Sequence, residues 1–187
     1  MAFNKNYAIV GLGFYFIILM VSELITKWND IPDIIPSHYN SKGEVDRQSS
    51  KNILLIIPTI GFVVLILLVI SAQNPPQWII PIEINDENRK EVIQSTKTYF
   101  YFITVILNSY LRVVNASLIR SKHIGMQPLI TFISSLVIIT MFYHGNISKV
   151  SKDIAKSNRR KARVEQMEKM EKVEKKKNNK NNKKKRN

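Results

Sequence analysis

Thr104, Asn108, Arg112 and Asn115 stand four, four and three residues apart within an otherwise apolar stretch, YFYFITVILNSYLRVVNASLI, so a helix there carries all four on one face. An arginine at such depth costs on the order of 3 kcal/mol on insertion scales, and it turns toward a bundle interior or a water cavity. Two chemistries fit the stripe. One is a hydrophilic groove or substrate path centred on Arg112. The other, favoured because Arg112 falls late in the stretch, is helix-to-helix bonding by Asn108 and Asn115 with Arg112 snorkelling to the interface. Glu23, near the end of the first apolar stretch, is the nearest acidic partner for Arg112. A second group of candidates, His38, Asp46 and His123, has the donor types of a zinc site but lacks fixed ligand spacing, and the expectation is no metal. The chain has no cysteine, which excludes disulfides and thiolate chemistry. Nucleophile elbows, phosphate-binding glycine loops and HExxH are missing, so neither an enzyme nor a cofactor is expected.

The elements that position these residues are apolar helices of bilayer length. Ile53 to Ala72 (ILLIIPTIGFVVLILLVISA) holds 20 residues without a charge, the length a helix needs to cross hydrocarbon. Tyr7 to Thr26 carries only Glu23 and lacks a small-x-small cleavage site, so it reads as a retained span. Tyr99 to Ile119 and Pro128 to His144 complete a set of four. Gly11 and Gly13 read as close-packing positions of the first helix. A mean hydropathy near zero arises because a charged tail dilutes this membrane half. The fold class is an all-α integral membrane protein: a four-helix transmembrane bundle over residues 1–148, a short ordered extracytoplasmic loop, and a basic cytoplasmic tail over 149–187.

Charge sets the orientation. From Lys149 onward there are 17 Lys and Arg against 5 Asp and Glu, and seven of those cations lie between Lys149 and Arg163, close to the last span. The positive-inside rule therefore places the tail in the cytoplasm, and four spans place the amino terminus there too. Lys27 to Asn52 and Arg120 to Gln127 then face outward with six cations, against twenty-one on inner segments. Within the tail, Ser151 to Lys177 suits a helix with Glu-before-Lys pairs at i, i+4, whereas the Asn/Lys run from Asn178 has no apolar residue with which to order itself. The tail's partners are expected to be anionic lipid headgroups, or the phosphates of a ribosome or nucleic acid.

The first outer loop, WNDIPDIIPSHYNSKGEVDRQSSKN, reads as a fixed shape, a hairpin-like or irregular cap. Pro32 and Pro36 stiffen it, Gly43 allows positive φ, Asn40, Ser41 and Asp46 suit side-chain-to-backbone turns, and Trp28 and Tyr39 suit headgroup level. The pattern of Pro36, His38, Tyr39, Asn40, Gly43, Asp46, Ser50 and Lys51, followed by a span containing Pro58, resembles the domain of unknown function numbered sixteen forty-eight. The inner stretch NPPQWIIPIEINDENRKE extends the resemblance, which reads over roughly residues 7–98. That domain opens the SdpI-like membrane proteins. The resemblance implies a bacterial, multi-pass cell-membrane protein giving immunity against, or signalling the presence of, a toxic peptide, with a membrane or peptide partner. The rival expectation is a membrane-protein insertion or translocation factor of the YidC type, or an accessory subunit of a larger membrane complex.

Overall fold

The computed structural model describes residues 5–40 and 42–184. Four long helices run as α1 (Lys5–Lys27), α2 (Ile56–Gln73), α3 (Arg89–Ile119) and α4 (Gln127–Lys184), each long and apolar enough to cross a membrane. Between α1 and α2 lies an antiparallel hairpin of β1 (Ile34–Tyr39) and β2 (Val45–Ser50), and among the described residues this small sheet is the one departure from an all-α fold.

Local chemistry explains most boundaries. Ser50 caps a 3-10 turn at Lys51–Leu55, its hydroxyl accepting from the Asn52 amide, and α2 follows directly. Pro58 falls in the first turn of α2, where a missing N–H leaves no bond unmade. Pro128 stands at the second residue of α4 for the same reason. α3 starts ten residues before the span expected at Tyr99, because the preceding turn is closed locally. There the Asn88 amide donates to Asn85 Oδ1 at 3.0 Å and the Asn85 amide to Asn88 Oδ1 at 2.8 Å.

α4 departs furthest from expectation. It runs 58 residues without a break, or about 87 Å at the rise of an α-helix, straight through the boundary expected at residue 148. It also continues past Asn178, where order was expected to end, to Lys184. From Asn146 onward the sequence contains neither glycine nor proline, and so nothing local to stop a helix.

α3 is the hub, packing on α1, α2 and α4, while the main contacts of α4 are with α3. Apolar clusters stack along the bundle. Leu24, Ile31, Ile35, Leu54 and Ile119 lie at the hairpin end, Ile17, Met20 and Leu65 in the middle, and Ala72, Phe100 and Tyr101 at the opposite end. A fourth cluster, Ile80, Val92, Tyr143 and Ile147, binds the α2–α3 loop to α4. Tyr99 and Tyr143 stack at 4.5 Å between α3 and α4, and Tyr143 Oη meets Thr96 Oγ1 at 3.0 Å. Large apolar side chains such as Leu67, Ile70, Val137 and Ile138 stand open on the outward faces. Such continuous apolar exposure suits hydrocarbon and would drive aggregation in water.

Candidate functional site

The hairpin is a tied structure. Its turn rests on Asn40: the carboxamide oxygen accepts from the Lys42 and Glu44 amides at 2.9 and 3.0 Å, and its nitrogen donates to Glu44 Oε2 at 2.8 Å. Gly43 sits at φ 83°, the left-handed region where a side chain would be strained. Across the strands, His38 Nδ1 and Asp46 Oδ1 lie 2.6 Å apart and Ser37 and Ser49 share a hydroxyl bond at 2.8 Å. Asp46 is thus engaged by His38, not by a backbone turn. The register slips on both sides of His38, where β1 is bulged. Pro36 is paired in register with Gln48.

Lys51 fastens the foot of the hairpin to the end of α1. Its ammonium donates to the Trp28 and Ile31 carbonyls at 3.4 and 3.3 Å, pairs with Asp33 at 3.1 Å, and lies 5.2 Å from the centre of the Trp28 ring. Trp28 is therefore packed against the hairpin-end cluster and covered by a cation. The tip leans on the α3–α4 loop, where Tyr39 meets His123 edge-on at 5.1 Å. A side chain at Gly43 would also touch the His123 ring. His38 and His123 serve separate contacts, and no group of three metal-ligating side chains occurs among the described residues.

Beneath the cap, Arg112 Nη1 approaches Glu23 Oε2 at 2.6 Å, an ion pair that lies off the angle of a hydrogen bond. Glu23 also pairs with Lys27 at 3.2 Å and Arg120 at 3.8 Å, so one largely buried carboxylate gathers three cations from both ends of the loop system. The Lys27 contact has a local signal, the i, i+4 spacing. The Arg120 contact has none, since it depends on where α3 ends.

Thr104, Asn108 and Asn115 are fully buried, on the side of α3 turned toward the bundle. Asn108 and Asn115 were expected to bond neighbouring helices. Instead the Asn108 amide nitrogen donates back to the Thr104 carbonyl at 3.0 Å, and Asn108 Oδ1 and both amide atoms of Asn115 have no hydrogen-bond partner among the described residues. What meets the stripe is glycine. Gly13 of α1 lies against Thr104, and Gly61 of α2 lies against Asn108 so closely that a Cβ would overlap its carboxamide oxygen. Gly13 is a close-packing position as expected; Gly11 faces open space.

Toward the far end, the α2–α3 loop reaches the extension of α4 through Lys161 Nζ and Glu87 Oε1 at 2.9 Å. Lys161 and Asn158 hold the Glu87 carboxyl below its usual value of 4.5. This clamp has no short-range signature in the sequence.

Residues 15–62 match the family model described as a domain of unknown function (DUF1648). The match takes in the second half of α1, the hairpin and the start of α2, and thus Glu23, Asn40, Gly43, Lys51 and Gly61. It is shorter than the stretch 7–98 over which the resemblance reads, and leaves out the α2–α3 loop. Neither a curated protein nor a solved structure matches the chain.

Proposed function

We propose that this chain is a non-enzymatic, multi-pass cell-membrane protein of bacterial type that displays the hairpin outside and keeps both termini inside. There it acts in immunity to, or signalling of, a toxic peptide. The observation that supports the reading most directly is the coincidence of the family match with the most rigidly tied part of the chain. The Asn40 turn and the Lys51 fastening spend polar bonds on holding a shape at one end of the bundle, which is what a recognition surface needs. The charge bias, twenty-one cations on one side against six on the other, supports the orientation.

Deleting the gene and challenging cells with peptides secreted by sibling cells tests the function. Heightened killing, restored to normal by the intact gene and not by a variant lacking residues 34–50, supports it; unchanged sensitivity refutes it. A membrane-impermeant reagent that labels a cysteine placed at residue 38 only after lysis would reverse the orientation.

A second reading, a membrane-insertion factor that docks on ribosomes, is favoured by one observation, the basic extension of α4. Co-sedimentation with ribosomes at low salt, lost on removal of residues 178–187, would support it. The engagement of Arg112 by Glu23 counts against an open groove around that arginine.

A further inference from the structure

β1, the α3–α4 loop and the hairpin ends of α3 and α4 enclose a cavity of about 370 Å³, within the range of small-ligand sites. Its two halves differ in chemistry. Lys122, His123, His38 and Tyr39 line the hairpin side, and Val114, Leu118 and Leu129 form the helix side. No Asp or Glu is among the lining residues. Tyr39 lines the cavity with its ring, which meets His123 edge-on at 5.1 Å, while its hydroxyl is buried. Asp46 engages only Nδ1 of His38.

The cavity shares Tyr110 with a second one of about 320 Å³, which continues between α3 and α4 past Val113, Ile106 and Phe132. Tyr110 and Phe132 stack at 4.6 Å along this second cavity. A mouth carrying Lys122, with Asp46 held behind His38, thus adjoins a mostly apolar groove between α3 and α4.

We propose that these adjoining cavities seat one anionic lipid of the leaflet on the hairpin side, its head group on Lys122 and His123 and one acyl chain between α3 and α4. Charge complementarity selects the head: a phosphate accepts from the Lys122 ammonium. The groove that adjoins the mouth at Tyr110 selects the chain. A soluble anion would leave the lower cavity empty, and a zwitterionic lipid would set its own cation against Lys122. The site is assembled from both sides of the family match, since Ser37 to Asn40 lie within it and α3 and α4 lie outside it.

The test is retention of phosphatidylglycerol against phosphatidylcholine of equal chain length by the full chain in mild detergent, read by native mass spectrometry. The intact protein is expected to hold one phosphatidylglycerol with about tenfold preference, the scale of one or two charge-assisted bonds. Lys122→Gln with His123→Gln should bring that preference close to parity. Val114→Trp should reduce retention of both lipids at unchanged helicity, while Lys152→Gln on the far extension of α4 should change nothing. Equal retention of the two lipids by the intact protein, or a preference untouched by the Lys122 and His123 changes, overturns the proposal. Displacement by inorganic phosphate or by a peptide with a free carboxylate, as effective as displacement by long-chain phosphatidylglycerol, overturns it as well. The Lys122 and His123 variants alter exposed side chains, so the outcome does not depend on whether Val114→Trp folds.

Discussion

Glu23 on α1 and Arg112 on α3 meet at 2.6 Å with the carboxylate largely buried, so each of these helices carries a charge that the other neutralises. Removing one member of such a pair costs about 3 kcal/mol or more, because the other is left buried and uncompensated. Glu23→Leu should be the more damaging change, since Arg112, Lys27 and Arg120 all lose their acceptor, whereas Arg112→Leu leaves Glu23 its bond to Lys27. The double variant should lose less stability than the two single losses added. Unfolding in a denaturing-detergent titration measures all three; strict additivity would show that the pair is not coupled.

Gly61 of α2 lies against Asn108 of α3, where a Cβ would overlap the carboxamide oxygen. Alanine is a better helix former than glycine by about 1 kcal/mol, so by propensity alone Gly61→Ala would stabilise. The overlap with Asn108 predicts the opposite sign, a loss of about 1–3 kcal/mol typical of an overfilled interior. Asn108→Ala in the same chain should recover most of that loss. A stabilising Gly61→Ala in the detergent titration would show that the helices do not approach as described.

Lys51 donates to two carbonyls more than 19 residues away in the chain, at the end of α1. Lys51→Met keeps the stem and removes the charge, leaving those carbonyls and Asp33 without it; a lost charged bond of this kind is worth about 1–3 kcal/mol. The expected readout is faster proteolytic cleavage within residues 34–50 at unchanged overall helicity. An unchanged cleavage rate would mean that the hairpin is held without Lys51, by the Ile35 cluster and the Tyr39–His123 contact.

The Glu87–Lys161 contact should be pH-dependent in one direction. The folded carboxyl is held below its usual value of 4.5, so the contact contributes above that value and is lost as pH falls through the lower folded one. Carbodiimide linking cannot follow this, because it consumes the carboxyl, but a spin-label pair on Asp86 and Arg160, both exposed, can. The pair should separate as the pH falls below the ordinary carboxyl range, through the lowered value of Glu87, and be already separated, without pH response, in Glu87→Gln. A distance unaffected by acid and by that substitution would remove the clamp from the description.

The spans and the turn were legible because their signals are local. Twenty uncharged residues state a helix of bilayer length wherever they are placed, and Asn40 with Gly43 states a turn because the carboxamide reaches amides only two and four residues ahead. Glu23 and Arg112 were legible as neighbours from depth alone, each lying toward the hairpin end of its helix. The partner of Asn108 was not, because which face of α3 meets which glycine of α2 depends on the rotation and crossing of two helices distant in sequence. The reach of α4 was misjudged for a different reason: an absence of apolar residues after Asn178 says nothing will be buried there, and an absence of glycine and proline leaves the helix free to continue.

Read alone, the residues determine how many apolar helices there are, the sign of charge at each end, and the shape of the turn, since each follows from side chains within a few positions of one another. Tertiary packing alone decided that Arg120 joins Glu23, that Gly61 seats Asn108, and that Tyr39 and Lys122 share a cavity. Those contacts arise where helices separated by tens of residues are brought to one depth and one rotation, and no short stretch of sequence carries that information.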